Sequence, residues 1–348
     1  MGRESLVLVS IYSNGLLFYH SASVVKDSEA AQQLNVRFPI FLGYVELTVC
    51  GNFAIACRND SELDSKMATP RTSWTMTGCG LLGGYYLGVW NALSRPNVPR
   101  ALFDARASRI HGASAGALVG AAIVSGVSHA DTTDAFERIA EAVRPVGLLC
   151  CPILAIIRTE AEKLLPEDAH ELATGRLSVL ATDAGAAPFL NMKKQTFDAF
   201  DSRASLIDAV LVSSYLPGLM SRPRLTTPLH ERNLIDGGIW SFEAAEGERL
   251  ISVSPFGGAF DVSPTSQATD GRWLRWPMVR VGMGWLDASP DNLANGWRAF
   301  SPAAELDDLY RRGFDDCERF LRHECPGLVL APYADPRRRT ASNEAGPG

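Results

Sequence analysis

The residues best able to do chemistry are a serine set between glycines, a glycine-rich run upstream of it and an aspartate well downstream. Gly112-Ala113-Ser114-Ala115-Gly116 is a G-x-S-x-G, a spacing that turns a strand sharply into a helix and holds the serine hydroxyl out at the bend. Gly78-Cys79-Gly80-Leu81-Leu82-Gly83 reads as a second strand-to-helix turn, whose backbone amides can converge on one pocket. Donors arranged in that way at a helix N-terminus stabilise the oxyanion that develops when an ester carbonyl is attacked. Asp236-Gly237-Gly238 follows the apolar pair Leu234-Ile235 and so places a carboxylate at a strand end. A carboxylate within reach of a serine hydroxyl can take its proton without an imidazole between them. The chemistry expected is therefore cleavage of an acyl ester, with Ser114 as nucleophile and Asp236 as general base. Gly78, Cys79, Gly80, Leu81, Leu82 and Gly83 would form the oxyanion hole. Gly112, Ala113, Ala115 and Gly116 would form the elbow, and Gly237 and Gly238 the turn that carries the base.

Each motif has a second reading. A glycine-flanked serine can simply cap a helix, and Asp-Gly-Gly is a common turn. The G-x-G-x-x-G at 78–83 also suits a dinucleotide, for which Asp104 stands near the distance where an acidic residue would hold ribose. Ser114, Asp236 and His323 occur in the chain order of an α/β-hydrolase triad, although His323 falls in the last turn of a charged helix, where a cation complements the dipole. His111 and His170 lie beside the motifs and are read as structural.

The elements that must position these residues follow from the pattern. A strand over 73–76 leads through the glycine turn to a helix over 85–93, and a short strand over 108–111 leads through the elbow to a small-residue helix over 117–125. Asp131 is expected to cap a helix over 132–144, and a helical pair straddles Pro166 and stops at Gly175. Strands are expected at 176–182, 189–192, 196–200 and 250–253, with a helix started by Ser202 and running to Ser213, and a charged helix over 303–322. Strands alternating with helices imply an α/β fold with a mostly parallel sheet covered on both faces.

Composition narrows the class. A chain of 348 residues with 46% apolar content can build a sizeable core. Its 33 basic against 39 acidic residues leave a net charge of −6, without the basic footprint that grips nucleic acid. The seven cysteines are irregularly spaced and form no zinc-ligand pattern, which points to free thiols, a reducing compartment and no metal. No apolar run reaches the length of a membrane span, and the patches over 6–17 are broken by Ser10, Ser13 and Asn14 with Glu4 where a signal peptide would carry positive charge. Two stretches suit a lipid interface: the uncharged run 145–157, read either as a membrane-dipping lid or as core, and 272–285, where Trp273, Trp276 and Trp285 alternate with Arg272, Arg275 and Arg280. Residues 1–66 carry strand-like stretches at 6–9, 36–42 and 44–49 but no catalytic motif. The polar stretch 58–65 reads as a linker, with Met67 an alternative start. The catalytic domain is expected over 67–250, its completion over 251–334 and a disordered tail over 335–348.

With these residues in view, the sequence resembles the patatin-like phospholipase family, in the animal-type branch that includes adipose triglyceride lipase. The resemblance rests on 78–83 with Tyr85-Tyr86-Leu87-Gly88-Val89 after it, on 111–118, on Leu165-Pro166-Glu167-Asp168-Ala169-His170, on Asp236-Gly237-Gly238 and on 252–258. It covers roughly residues 72–325 and implies a three-layer α/β/α fold, a Ser114–Asp236 dyad and hydrolysis of neutral glycerolipids, phospholipids or retinyl esters without metal or cofactor. It also implies a cytoplasmic protein that meets its lipid ester at a membrane or lipid-droplet surface, with a protein co-activator left open. Two departures stand out. Ile239-Trp240-Ser241-Phe242-Glu243 replaces the polar, proline-ended segment that often follows Asp-Gly-Gly, which puts the shape of the substrate pocket in question and keeps a catalytically weak, lipid-binding regulatory relative as the rival reading. Leu81 and Leu82 replace the basic residue of plant and bacterial members, which favours an apolar pocket mouth.

Overall fold

The computed structural model describes residues 71–144, 152–185, 192–245, 247–264, 284–300 and 306–329, together with the backbone of five further strands, at 5–13, 16–24, 33–40, 43–50 and 278–281. The chain divides into two compact units, Met1–Ala68 and Thr69–Gly348. In the first, β1 (Ser5–Ser13) pairs antiparallel with β2 (Leu16–Val24), and β3 (Gln33–Ile40) pairs antiparallel with β4 (Gly43–Cys50). The linker at 58–65, Met67 and the tail over 335–348 lie outside the described residues.

The second unit is built on one sheet. Its strands are β5 (Arg71–Met76), β6 (Arg109–Gly112), β7 (Leu177–Asp183), β8 (Lys193–Phe197), β9 (Leu234–Asp236) and β10 (Glu248–Val253), in the order β10-β5-β6-β7-β8 with β9 also on β7. The pairs β10–β5, β5–β6 and β6–β7 are parallel, while β8 and β9 meet β7 antiparallel. The fold is thus α/β with a mixed, mostly parallel central sheet flanked by helices. Period-two alternation gives that sheet two unlike faces. Trp74, Met76, Ile110, Leu177 and Val179 form an apolar face, and Ser73, Thr75, His111, Ser178 and Thr182 a buried polar one.

Helices cover the apolar face. α1 (Gly84–Leu93) follows the turn after β5, and α2 (Ala115–Val124) follows β6. Every residue of α2 is buried, so the helix tolerates only small or apolar side chains. Its glycines let it lie on the sheet: a Cβ at Gly116 would fall 2.3 Å from the Met76 carbonyl oxygen. Next come α3 (His129–Val143), α4 (Ile153–Leu164), α5 (Ala169–Ala173) and α6 (Arg203–Ser213). α3 starts three residues earlier than expected, because Ser128 rather than Asp131 is its cap: the Ser128 hydroxyl accepts the Asp131 N–H at 3.1 Å. α6 opens at Ser202 as expected, with Ser202 and Ser205 capping each other. β8 lies three residues ahead of the expected strand, and the strand expected at 189–192 falls almost wholly outside the described residues. The chain closes with β11 (Met278–Val281), β12 (Gly284–Asp287), α7 (Pro290–Arg298) and α8 (Leu306–Glu324). α8 carries Asp307 and Asp308 in its first turn and Arg322 and His323 in its last, matching the helix dipole at both ends. Its Phe320 packs edge-on against Trp74 of β5.

Candidate active site

Strand register brings the serine and the aspartate together. β6 pairs along the first part of β7, ending with Gly112 opposite Val179, and β9 pairs along the last part, with Asp236 opposite Ala181. Both lie on the edge of β7 away from β8, since Val179 and Ala181 each pair with β8 as well. One strand runs parallel to β7 and the other antiparallel, so they point at each other and their ends meet across Leu180. The elbow leaves one strand there and the Asp-Gly-Gly turn leaves the other.

At the elbow Ser114 has φ +52° and ψ −123°, and it is the one non-glycine residue of positive φ among the described residues. Such a conformation costs about 1–3 kcal/mol and persists only where neighbours hold it. Here they do. The Ala113 N–H donates to the Met76 carbonyl at 3.2 Å, and the Ser114 N–H donates to Ser213 Oγ at 2.9 Å. The Ser213 hydroxyl in turn donates to the Leu180 carbonyl, and the Ser213 carbonyl accepts the Gly237 N–H at 3.4 Å. Ser213, fully buried at the end of α6, therefore ties the elbow to the base turn.

Ser114 and the Gly238 N–H are the donors beside the Asp236 carboxylate, the latter bonded to it at 2.6 Å. Asp236 keeps some exposure as a residue, but its carboxyl is enclosed by Gly78, Gly238 and Ser114. Burial pushes that carboxyl up to about 6, against the opposing pull of these two donors. Its backbone is fixed from both sides: the Asp236 N–H donates to the Tyr215 carbonyl at 2.8 Å, and the Thr182 hydroxyl donates to the Asp236 carbonyl at 2.6 Å. Thr182 accepts the Trp240 indole N–H at 2.9 Å. Ser213 and Thr182 were not singled out in the sequence, and Trp240 stood out only as part of the departing segment 239–243. A serine at a helix end and a threonine in a strand carry no local signal of such a role.

The glycine run 78–83 divides into parts. Gly78 touches the pair, since a Cβ built on it would stand 3.4 Å from Ser114 Cβ and 3.7 Å from Asp236 Oδ1. Gly80, at φ +57°, presses against the Ala299 carbonyl, where a Cβ would fall 2.3 Å from the oxygen. The Leu81 N–H is taken by that same carbonyl at 2.9 Å, and the Leu82 N–H by the Cys79 carbonyl at 3.1 Å. Among the described residues the N–H groups of Gly78, Cys79, Gly80 and Ala115 have no such acceptor. Leu82 is buried in the core and Gly83 begins α1 as its cap, so of the expected oxyanion residues 78–80 keep available donors, joined by Ala115 of the elbow.

An apolar cavity ends on Ser114. Leu81, Leu118 of α2, Phe136 and Ile139 of α3, and Ile153 and Ile157 of α4 line it. Leu81 is thus part of an apolar wall. Residues 153–157 of the uncharged run serve as wall, while 145–151 lie outside the described residues, as do Trp273 and Trp276. None of residues 239–243 lines the cavity. That departing segment lies instead against the polar face of the sheet, with Phe242 on His111 at a ring separation of 4.7 Å and Trp240 on Thr182.

The remaining candidates sit elsewhere or are chemically quiet. Burial pushes the Cys79 thiol up to about 12, so it stays protonated. Burial lowers His111 to about 4 and keeps it neutral, with no hydrogen-bond partner for either ring nitrogen among the described residues. His170 lies in the short α5. The structure does not bring His323 to the site: its side chain is 87% exposed beside Glu324. Cys79, Cys317 and Cys325 are free thiols, and among the described residues no cluster could hold a metal ion.

Comparison with known proteins bears on this geometry. Residues 75–246, which hold the end of β5, the glycine run, the elbow and the Asp-Gly-Gly turn, match the model of the patatin-like phospholipase family. The chain belongs to that family. Among animal members, patatin-like phospholipase domain-containing protein 2 of Homo sapiens is 31% identical over 272 residues, 75% of this chain and 50% of that protein. Patatin-like phospholipase domain-containing protein 4 of Homo sapiens is 29% identical over 258 residues, 72% of this chain and 96% of that one. The human 1-acylglycerol-3-phosphate O-acyltransferase PNPLA3 is 26% identical over 259 residues, 72% of this chain and 51% of that one. The patatin-like match thus spans about half the length of two of these relatives. No helix among the described residues is long and apolar enough to cross a membrane.

Proposed function

We propose that this patatin-like chain is a lipid acyl hydrolase in which Ser114 and Asp236 act as a dyad. The observation that carries the reading is Ser114 standing beside a buried carboxylate in the wall of an apolar cavity. Ser114 Oγ attacks the ester carbonyl carbon and its proton passes to Asp236. The oxyanion is taken by the available N–H groups of 78–80 and of Ala115, at the N-terminus of α2. As the intermediate collapses, Asp236 returns the proton to the departing alcohol and an acyl-Ser114 ester remains. Water, deprotonated by Asp236, then attacks that ester, and Asp236 returns the proton to Ser114 Oγ as the fatty acid leaves. No metal or cofactor enters any step. The acyl chain lies in the cavity between α3 and α4, and the substrate is a glycerolipid or related lipid ester met at a membrane or droplet surface.

Hydrolysis of a short-chain chromogenic ester by the parent, Ser114→Ala and Asp236→Asn tests the mechanism. The two variants are expected to lose at least about a thousandfold in kcat; activity of Ser114→Ala equal to the parent overturns the dyad. A second reading is acyl transfer, favoured by the relative named an acyltransferase and by the apolar walls around Ser114, which suit an acyl-enzyme awaiting an alcohol. Product analysis with a lysophospholipid acceptor present separates the two, since transfer yields a diacyl product and hydrolysis a free fatty acid. An inactive parent would leave the lipid-binding regulatory reading in its place.

A further inference from the structure

Helix α7 is built inside out. Its buried side is polar: Asn292 accepts the Gly257 N–H at 2.7 Å and donates to the Gly257 carbonyl at 2.6 Å, and Asn295 donates to the Pro255 carbonyl. Its exposed side carries large apolar side chains. Leu293 and Trp297, spaced i, i+4 on one face of the helix, are 72% and 78% exposed, while Phe300 in the turn that follows and Trp285 on the strand leading into the helix are each 44% exposed. A helix of a soluble domain normally puts such a stripe inward. The same helix ends on the site, where the Ala299 carbonyl holds the Leu81 N–H and abuts Gly80, both residues of the cavity that reaches Ser114.

From this we infer that the Leu293–Trp297 face of α7, with Phe300 after it, docks the enzyme on a lipid surface and sets the cavity mouth against it. The inference rests on the lipid-ester reading of the site and adds the surface through which the substrate is reached. Two observations choose a lipid phase over a second copy of the chain. The stripe adjoins the cavity, since the end of α7 at Ala299 packs on Gly80 and Leu81, two residues of the lining that includes Ser114. Its area also falls short of a stable dimer. Even a fully buried aromatic contributes only about 150–250 Å², so these three side chains and Trp285, at their observed exposures, offer at most about 600 Å² among the described residues, below the roughly 800 Å² per partner of a standard interface. Insertion into a lipid surface has no such minimum, and tryptophan suits the boundary between headgroups and acyl chains.

The test uses the full chain with Leu293→Gln and Trp297→Gln combined, made both in the parent and in Ser114→Ala. Binding is read by co-flotation with phosphatidylcholine vesicles containing triolein, and activity on those vesicles and on a soluble short-chain ester. The double variant is expected to lose about tenfold or more in vesicle binding, in both backgrounds, and to lose vesicle hydrolysis while keeping short-chain hydrolysis. Vesicle binding equal to the parent overturns the inference. So does a parent that fails to bind vesicles and self-associates in sedimentation through a contact that the double variant abolishes. Because binding is measured in the Ser114→Ala background too, a failure of the dyad shows as short-chain hydrolysis that Ser114→Ala shares with the parent, or that the parent lacks, and leaves the binding result standing.

Discussion

Ser114 is held in its bent conformation by a hydroxyl that does not itself meet substrate. The Ser114 N–H donates to Ser213 Oγ, and that hydroxyl donates to Leu180, the residue across which the two site-bearing strands meet. Ser213→Ala removes both bonds and leaves a buried N–H without an acceptor, a loss of about 1–3 kcal/mol. The elbow then relaxes away from Asp236. Kinetics on a short-chain ester should show kcat lowered about tenfold or more with KM little changed, and Ser213→Thr, which keeps the hydroxyl, should recover part of it. A rise in KM at constant kcat would mean that Ser213 shapes the pocket rather than the elbow. Trp240 acts one step further out, through Thr182 onto the Asp236 carbonyl. The departing segment 239–243 thereby supports the base without touching the cavity.

Helices α1 and α8 cross at glycines, and the crossing fixes the start of α1 behind the oxyanion loop. A Cβ at Gly88 would stand 1.9 Å from the Tyr310 carbonyl oxygen, and one at Gly313 2.0 Å from that of Tyr85. Tyr85 also donates its hydroxyl to Asp316 at 2.7 Å, a second tie between the same helices. Gly88→Ala forces backbone apart and is expected to lower the thermal midpoint by at least about 2–4 °C, from an overpacking loss of 1–3 kcal/mol. Gly296 in α7 is the opposite case, with nothing within 4 Å of a Cβ. There the same substitution removes only the helix penalty of glycine and should stabilise by up to about 1 kcal/mol. Thermal unfolding of the two variants side by side checks both signs; equal midpoints would contradict the close crossing.

Across the whole molecule, the buried carboxyl of Asp236, as the proposed base, sets activity and stability against each other. Asp236 must be ionised to accept the Ser114 proton, so kcat/KM should rise through pH about 6. Stability runs the other way. With the folded value raised above the ordinary 3.8, the contribution of this carboxyl is fully present below pH 3.8 and is lost as pH rises through about 6. Asp236→Asn should therefore be more stable than the parent at neutral pH, by on the order of 2 kcal/mol, with the gain shrinking toward pH 4. Denaturant unfolding at pH 4 and pH 7.5 reads the difference, and a gain that grows toward acid would show the carboxyl to be lowered instead. Added stability with lost activity is what a functional buried charge predicts.

Much of this was legible in the chain because it is local. Glycine spacing around Ser114, the Gly78–Gly83 run and Asp-Gly-Gly each encode a turn through backbone sterics alone, and the alternation of strands and helices follows from side-chain periodicity. Other features depend on what lies across the fold. The meeting of β6 and β9 at Leu180 is a matter of register on a third strand, which no local pattern states. Which amides of 78–83 stay available was decided by the Ala299 carbonyl, contributed by a helix that the sequence reading did not place. That helix is the sharpest case. Leu293 and Trp297 have a spacing that in a soluble helix normally faces the core, yet Asn292 and Asn295 find buried partners at 255–257 and turn the stripe outward. The sequence by itself determined the reactive groups and the turns that present them. Tertiary structure decided their pairing, their donors and the direction of the apolar face, because hydrogen bonds and burial between distant segments exist only once the chain has folded.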